Sequence, residues 1–466
     1  MGVASCRNQV ENPPVASRLT EAQSAEGDYI SWREHLIDGF DSSGFELSGS
    51  DGLTQGDLDQ DGWPDFVSVH ESDTEYEGVA EGYIRIAFGS EDPNTWTHAT
   101  LAAGPEAGAA EDVDIADVNG DGWPDIIAAC ELEHLIYFQN PGRDIRTTPW
   151  ERIIPDITAN RGSFIRVFFA DFNNDGKFEV TAPNKGTQLP GLHTDTLNPI
   201  SWFEIDGDPL SQQSWQEHEL TRVDIPENAR PVDLDGDGDL DILGGSRGEE
   251  RAMWFENLDT EPITFIEHPI RILDGEKPYP ICAVNVDFFD FNQDDRLDIA
   301  VFCSNERQSF GWIEQPAQPE DPWSFHPIGS SFPDHLIGIA VADINSDGHP
   351  DIMTGTYSGG SRDEDGADVT VNDRIGRLAW FENPGRVGES WTRHDISRRV
   401  RGMFDKFVPI DLDNDGDLDF VSTRGNTAPY DGVFWLEQVR TDHPVKRFTP
   451  ARENESREMG LPTVLE

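Results

Sequence analysis

One acidic pattern recurs seven times along this chain, and it constrains the fold more than any other feature. It reads Asp-x-Asp/Asn-x-Asp-Gly-x-x-Asp and is followed by an apolar run. Copies begin at Asp57, Asp117, Asp171, Asp233, Asp290, Asp343 and Asp411, in steps of 60, 54, 62, 57, 53 and 68 residues. Self-similarity at a near-constant period marks a repeat architecture, in which each unit buries its apolar face only against its neighbours. Copy five departs from the pattern, with Asp295 where Gly belongs.

Two further signatures keep fixed places in the repeat. One is an aromatic run: Trp202-Phe-Glu204, Trp254-Phe-Glu256, Trp312-Ile-Glu314, Trp380-Phe-Glu382 and Trp435-Leu-Glu437, with weaker copies at 83–88 and 135–138. The other is Trp-x-x-His: Trp32/His35, Trp215/His218, Trp323/His326 and Trp391/His394. Each unit then reads as four short strands, which in copy four fall at 229–234, 240–244, 252–256 and 265–270. Length, alternation and the Gly, Asp and Pro punctuation all indicate β-structure, and no capped stretch of helical period is long enough for a substantial helix.

Four strands per unit at this period predict an all-β, seven-bladed β-propeller. No Trp-x-x-His follows the last aromatic strand; the unmatched copy lies at residues 32–37, ahead of the first Asp loop. The N-terminal strand is therefore expected to close the last blade and remove its open edge. The expected organisation is an N-terminal tail or export-signal remnant at 1–28, a propeller at 29–440 and a C-terminal tail at 441–466, both tails loosely ordered.

The Asp loops concentrate carboxylates around a tight turn, and bare carboxylates at such spacing repel. A hard cation with oxygen ligands is expected, and the absence of His and Cys selects Ca²⁺. The candidate ligands are Asp57, Asp59, Asp61 and Asp65; Asp117, Asn119, Asp121 and Asp125; Asp171, Asn173, Asp175 and Glu179; Asp233, Asp235, Asp237 and Asp241; Asp290, Asn292, Asp294 and Asp298; Asp343, Asn345, Asp347 and Asp351; and Asp411, Asp413, Asp415 and Asp419. That gives up to seven structural sites, with the fifth open to question. An EF-hand would need Glu at loop position twelve and a following helix, whereas Ser68 and Ala128 stand there inside β runs.

Ninety Asp+Glu against 34 Lys+Arg give a formal net charge of -56. Long-range repulsion excludes wholesale binding to nucleic acid or to an anionic membrane. No run of about 18 apolar residues is present, so no membrane-spanning helix is expected. Cys130, Cys282 and Cys303 sit in strand-like runs and read as buried thiols, while Val3-Ala4-Ser5-Cys6 would suit a lipoprotein cleavage site but for the missing apolar stretch before it. Weak calcium sites need the higher Ca²⁺ outside the cytosol, which points to an extracellular or periplasmic monomer, free or lipid-anchored.

These motifs, over about residues 30–440, resemble the FG-GAP/VCBS repeat propellers, whose Asp loops also occur in the integrin α-subunit head. The resemblance implies the propeller fold and its calcium loops. It does not fix a function, because the fold hosts adhesion, ligand binding and catalysis. The Trp-x-x-His and Trp-Phe-Glu-Asn-Pro variants are similar to the propeller of aldos-2-ulose dehydratase and to propeller lyases that cut uronic-acid glycans. That closer resemblance implies β-elimination on an acidic or oxidised sugar.

Subtracting repeat positions isolates the irregular residues. All 13 Trp are repeat residues; among His, only His70, His134, His193 and His335 lie outside the motifs and the tail. The Asp loops join first to second strands on one face, so these His, with Tyr76, Tyr279, Tyr357 and Tyr430, are expected on the opposite face around the central mouth. Many of the scarce cations are expected there too. Elimination would need a cation to neutralise the carboxylate, a base and an acid. Arg166, Arg230 and Lys406 are the candidate neutralisers, and His134, His193, His335 and Tyr279 the candidate bases or acids, acting on an anionic carbohydrate. Two alternatives stand: a non-catalytic glycan- or protein-binding module, and a hydrolase using carboxylates such as Glu131 and Glu306. For the cations, the competing explanation is pairing with Glu111, Asp112, Glu249 and Asp405.

Overall fold

The computed structural model describes residues 12–72, 81–191, 196–281, 285–302 and 309–463. Among the described residues seven sheets follow one another; the four blade strands of each pair antiparallel with their neighbours and run in chain order, except that the fourth strand of blade 7 comes from the N-terminal side. The blades span 50–103, 110–153, 168–224, 226–269, 286–330, 335–399 and 407–441. In blade 4 the strands are Pro226–Val232, Asp241–Ser246, Arg251–Asn257 and Phe265–Pro269, close to the expected positions. Among the described residues the one α-helix is the four-residue Phe40–Ser43.

Strand alternation explains why these blades form a ring. In blade 2, Ile126, Ala128 and Cys130 pack against blade 1, while Ile127 and Ala129 on the same strand pack against blade 3. A strand whose successive side chains point to opposite faces supplies both of its neighbours. The core is accordingly divided into seven apolar clusters, one at each blade–blade interface, including the interface of blade 7 with blade 1 formed by Val421, Trp435, Leu53 and Phe66.

Ring closure follows the sequence expectation. Tyr29–Asp38 pairs antiparallel with Gly432–Thr441 as the fourth strand of blade 7. A fifth, Phe448–Thr449, adds in parallel outside it. The flanks differ from the loosely ordered tails expected. Ala16 and Ala22 are buried in the interface of blades 6 and 7 with Phe448, Val15 is buried as well, and the Arg447 carbonyl accepts the Trp32 amide at 2.9 Å. Glu455 is also buried, 3.0 Å from Arg424. Their polar composition misled because the polar groups meet buried arginines instead of water.

The two aromatic signatures are one cross-strand device. His35, His218, His268, His326 and His394 each stand opposite Trp435, Trp202, Trp254, Trp312 and Trp380 in register. Ring centroids are 4.0–4.8 Å apart. Each imidazole Nε2 also lies 2.6–3.3 Å from the Glu two residues beyond its Trp. Stacking and a polar anchor together pin the fourth strand to the third. The next residue reaches sideways: Asn257 Nδ2 donates to the Phe172 carbonyl of blade 3 at 2.7 Å, and Gln438 Nε2 to that of Ile344 in blade 6 at 3.0 Å.

Candidate functional site

Two polar regions occupy opposite ends of the ring. At one end lie the Asp loops. In the first, the Asp57 carboxylate accepts the Asp61 and Gly62 amides, each at 3.0 Å, and Asp61 accepts the Trp63 amide at 3.0 Å. The ninth-position acid is buried beneath: Asp65 accepts the Leu58 amide at 2.8 Å and, from the third strand, the Gly89 amide at 2.9 Å. Burial, with added repulsion from Asp59 and Asp61, raises the Asp65 carboxyl to about 7, although those amides oppose the shift. Asp419 is raised to about 8 by the same cause, burial first.

Three loops bring carboxylate oxygens within 4.8 Å of one another: Asp57, Asp59 and Asp61; Asp233, Asp235 and Asp237; Asp411, Asp413 and Asp419. Oxygen-only donor sets of this density fit a hard cation such as Ca²⁺. The loops are not equivalent. Arg146 lies 2.6 Å from Asp59 and 3.0 Å from Asp61, so a guanidinium already bridges the first loop. In the fifth, Asp295 adopts the left-handed conformation of the missing glycine, with φ of 66°, and Arg296 pairs with Asp294. That loop keeps its shape and carries its own cation. The loops with three clustered acids and no such guanidinium on those acids are the fourth and seventh.

At the other end is the channel mouth. In five blades a residue one or two past the second strand donates its amide to the segment entering the first: Glu71 to Gly49 O (2.8 Å), Glu131 to Ala109 O (2.9 Å), Lys185 to Ser163 O (2.8 Å), Arg247 to Ile225 O (2.9 Å) and Gly425 to Met403 O (2.9 Å). Equivalent backbone positions thus form one rim carrying Glu71, Glu131, Lys185 and Arg247. Arg166 enters from blade 3 and spans the axis. It lies 3.5 Å from Glu111 of blade 2, 3.1 Å from Asn285 Oδ1 of blade 5 and 3.5 Å from Asp405 of blade 7. Lys406 lies 3.4 Å from Asp112, Arg247 2.9 Å from Glu227, and Lys185 pairs with Glu131.

The mouth cations are therefore engaged by acids, including Glu111, Asp112 and Asp405. Arg251 and Glu249 pair as well, at 2.6 Å. Acid is nonetheless in excess. Burial drives the Asp51, Glu71 and Glu111 carboxyls well above the ordinary range, and repulsion from neighbouring acids adds to it, Asp405 on Asp51 and Asp51 on both glutamates. Desolvation alone would lower the Arg166 pKa, but Asp405, Asp112 and Glu111 raise it instead.

The remaining candidates do not meet there. Arg230 lies further along the channel, with its guanidinium 5.6 Å from the Phe288 ring centroid and 4.0 Å from Asp287. His134 opens the third strand of blade 2, and its Nε2 lies 2.9 Å from the Glu106 carbonyl oxygen. His335 opens the first strand of blade 6 and accepts a hydrogen bond from Arg374 at 2.9 Å on Nδ1. Burial first, and then Arg374, lower its pKa. Tyr279 stacks on Phe325 at 3.8 Å, beside a small hairpin, Ile272–Asp274 and Lys277–Pro278, that adds outside the fourth strand of blade 5. Expected at the mouth, it stands on the outer edge because its ring completes an apolar cluster. His70 is fully buried between Ser50 and Ser68. His193, Tyr76, Glu306, Cys6, Cys282 and Cys303 lie outside the described residues. Cys130 is buried and unpaired, and its burial pushes the thiol up.

His134 yields a pH prediction. Burial lowers its pKa from the ordinary 6.5 despite the favourable Glu106 carbonyl. The unfolded chain then takes up a proton that the folded chain refuses, so this contribution is complete above pH 6.5 and is lost as pH falls below it. His134→Gln is expected to flatten the acid side of the stability–pH curve. Denaturant titrations at several pH values measure this; parallel curves for the two proteins would refute it.

A family model of the FG-GAP-like repeat matches residues 57–128 and 233–301. No curated protein sequence matches the chain. Among solved structures, the chain is similar to that of BBS1N in complex with ARL6DN, soaked with mercury. The identity is 10%, the TM-score 0.45, and the match covers 86% of this chain and 94% of that one. Among the described residues, no helix is long and apolar enough to cross a membrane.

Proposed function

Taking as premise that this chain is a seven-bladed propeller of the FG-GAP/VCBS repeat family, we propose that it is a calcium-braced carbohydrate-binding module of the extracellular or periplasmic space. The Asp loops hold structural Ca²⁺ on one face, and the channel mouth receives an acidic or oxidised sugar on the other. The observation that carries this reading is the mouth itself. Arg166 and Lys185 of blade 3 and Lys406 of blade 7 enter one buried or half-buried network with acids, which fixes their positions before any ligand arrives.

Binding is preferred to elimination because of where the candidate acids and bases stand. Among the described residues, His134 engages the Glu106 carbonyl, His335 engages Arg374 and Tyr279 stacks on Phe325, so these candidate acids and bases are committed to partners other than Arg166 and Lys406. General acid–base catalysis needs such a group within hydrogen-bond reach of the reacting proton.

Titration calorimetry with polyuronates and neutral glycans, in Ca²⁺, tests the proposal. An acidic glycan is expected to bind, and Lys406→Gln to weaken it about tenfold, the scale of one truncated charge contact. The ultraviolet absorbance of the conjugated double bond left by elimination should stay flat. A rising trace on any polyuronate would restore the lyase reading, and indifference to every acidic glycan would remove the carbohydrate.

A further inference from the structure

The mouth contains a second cluster of acids, distinct from the Asp loops in sequence, position and construction. Asp51 lies on the first strand of blade 1, Glu71 directly follows its second, and Glu111 lies on the first strand of blade 2. Their carboxylate oxygens lie within 4.8 Å of one another. Asp51 and Glu111 hold the same place in successive repeats, but neither they nor Glu71 belongs to the Asp loop motif.

Proximity of acids alone would mean little. The telling feature is Asp51. Its side chain is only 5% exposed, and its buried Oδ2 has no hydrogen-bond partner. A buried carboxylate oxygen without a donor is costly and requires a counterpart. Glu71, buried at 4%, stands beside it, and its Oε2 lies 2.8 Å from where a Cβ on Gly49 would be. Glycine at that position leaves room for the carboxylate.

Charge balance points the same way. The acids surrounding this point are Asp51, Glu71, Glu111, Glu131, Asp112 and Asp405; the cations are Arg166, Arg362, Lys185 and Lys406. Six negative charges face four positive ones. The neighbouring Glu227–Arg247 pair cancels within itself. The excess of two equals the charge of one divalent ion.

We propose that Asp51, Glu71 and Glu111 bind a hard divalent cation, Ca²⁺ by their all-oxygen donor set, at the mouth of the central channel. Bonds of about 2.3–2.6 Å place opposed calcium ligands up to about 5 Å apart, which the observed oxygen spacing satisfies. Three monodentate carboxylates leave coordination positions toward the mouth. A glycan carboxylate or hydroxyl pair would complete them; this service to a ligand rests on the binding reading above, whereas the ion itself does not. It would also resolve an apparent conflict, since an acid-rich mouth would otherwise repel an acidic sugar.

The test compares wild-type protein, the mouth variant Asp51→Asn/Glu71→Gln, the loop variant Asp411→Asn/Asp413→Asn and the variant that combines all four substitutions. Each is stripped with EDTA, dialysed against the same CaCl₂ solution, and its metal counted by inductively coupled plasma mass spectrometry. The mouth variant is expected to hold one Ca²⁺ fewer per chain than wild type, and the combined variant one fewer than the loop variant. Unchanged counts on removing the mouth acids would overturn the site. If the double variant does not fold, isosteric Asp51→Asn is titrated calorimetrically instead, and an undiminished number of sites at undiminished affinity is the overturning result. Crystals soaked in MnCl₂ offer an independent readout: an anomalous peak among the three carboxylates is expected, and none there refutes the site. Glycan affinity of the wild type reports separately on the binding reading. Loss of the ion with glycan affinity intact would establish the site and overturn its role as a bridge.

Discussion

Stripping divalent cations with EDTA is expected to lower the thermal midpoint by about 10–20 °C. The estimate comes from mass action: a site occupied at about 100 times its Kd contributes about 2.7 kcal/mol to the folded state. Four to seven such sites sum to about 10–20 kcal/mol. Unfolding entropy of about 2.1 cal/mol/K per residue converts about 1 kcal/mol into about 1 °C for a chain of this length. The loops should contribute unequally. Asp411→Asn/Asp413→Asn should remove a full share, since that loop gathers three acids without a guanidinium on them. Replacing Asp294 should remove much less metal-dependent stability, because Arg296 already pairs with it. Differential scanning calorimetry with and without chelator decides the matter. A midpoint that chelator leaves in place would end the calcium-braced reading.

Glu34→Gln is expected to cost about 3–5 kcal/mol, the loss typical of breaking a buried ion pair from one side. Glu34 lies on the N-terminal strand that closes blade 7. It accepts hydrogen bonds from Arg399 at 2.9 Å, Arg424 at 3.0 Å and the Ala451 amide at 3.0 Å. Burial alone would raise its pKa, but the Arg399 and Arg424 guanidiniums overcome that and hold it below the ordinary range. The substitution leaves two buried guanidiniums short of a counter-charge where the ring's ends meet; Glu455, 3.0 Å from Arg424 and 3.7 Å from Arg399, and Glu458, 3.5 Å from Arg399, are what remain. Glu455→Gln should therefore couple to Glu34→Gln in a double-mutant cycle by more than about 0.5 kcal/mol. Equilibrium unfolding in urea provides the numbers. A cost below about 1 kcal/mol would show that the cluster does not secure closure.

Much of the architecture was legible because it is written locally. Seven Asp loops gave seven blades, and the unmatched Trp32/His35 copy located the closing strand. The loop shape was legible even at copy five, where Asp295 substitutes for glycine without changing the conformation. The meaning of the motifs was less accessible. Trp-x-x-His and Trp-Phe-Glu lie on successive strands, and only their register makes His218 stack on Trp202. The ninth-position acid read as a ligand, yet in Asp65 it also anchors two backbone amides. The flanks read as tails because a sequence does not show that Glu455 will be buried beside Arg424.

The candidate site was legible only as an inventory. Cations were expected at the mouth, and Arg166 and Lys406 are there. Tyr279 was not separable from them, since a loop and an outer hairpin have the same composition. Glu111 was legible only as a partner for the mouth cations, and Asp51 and Glu71 carried no signal: acids are abundant in this chain, and no loop motif includes these three.

The sequence by itself determined the number of blades, their strand order and the acidic loop of each, because these depend on contacts between residues near in the chain and on alternation along single strands. The tertiary structure alone decided which charges share the mouth. Arg166, Asn285 and Asp405 are separated by 119 and 239 residues from Arg166 onward, and meet only because seven wedges close around one axis. Coulomb energy depends on distance and burial in space, and a linear order of residues specifies neither.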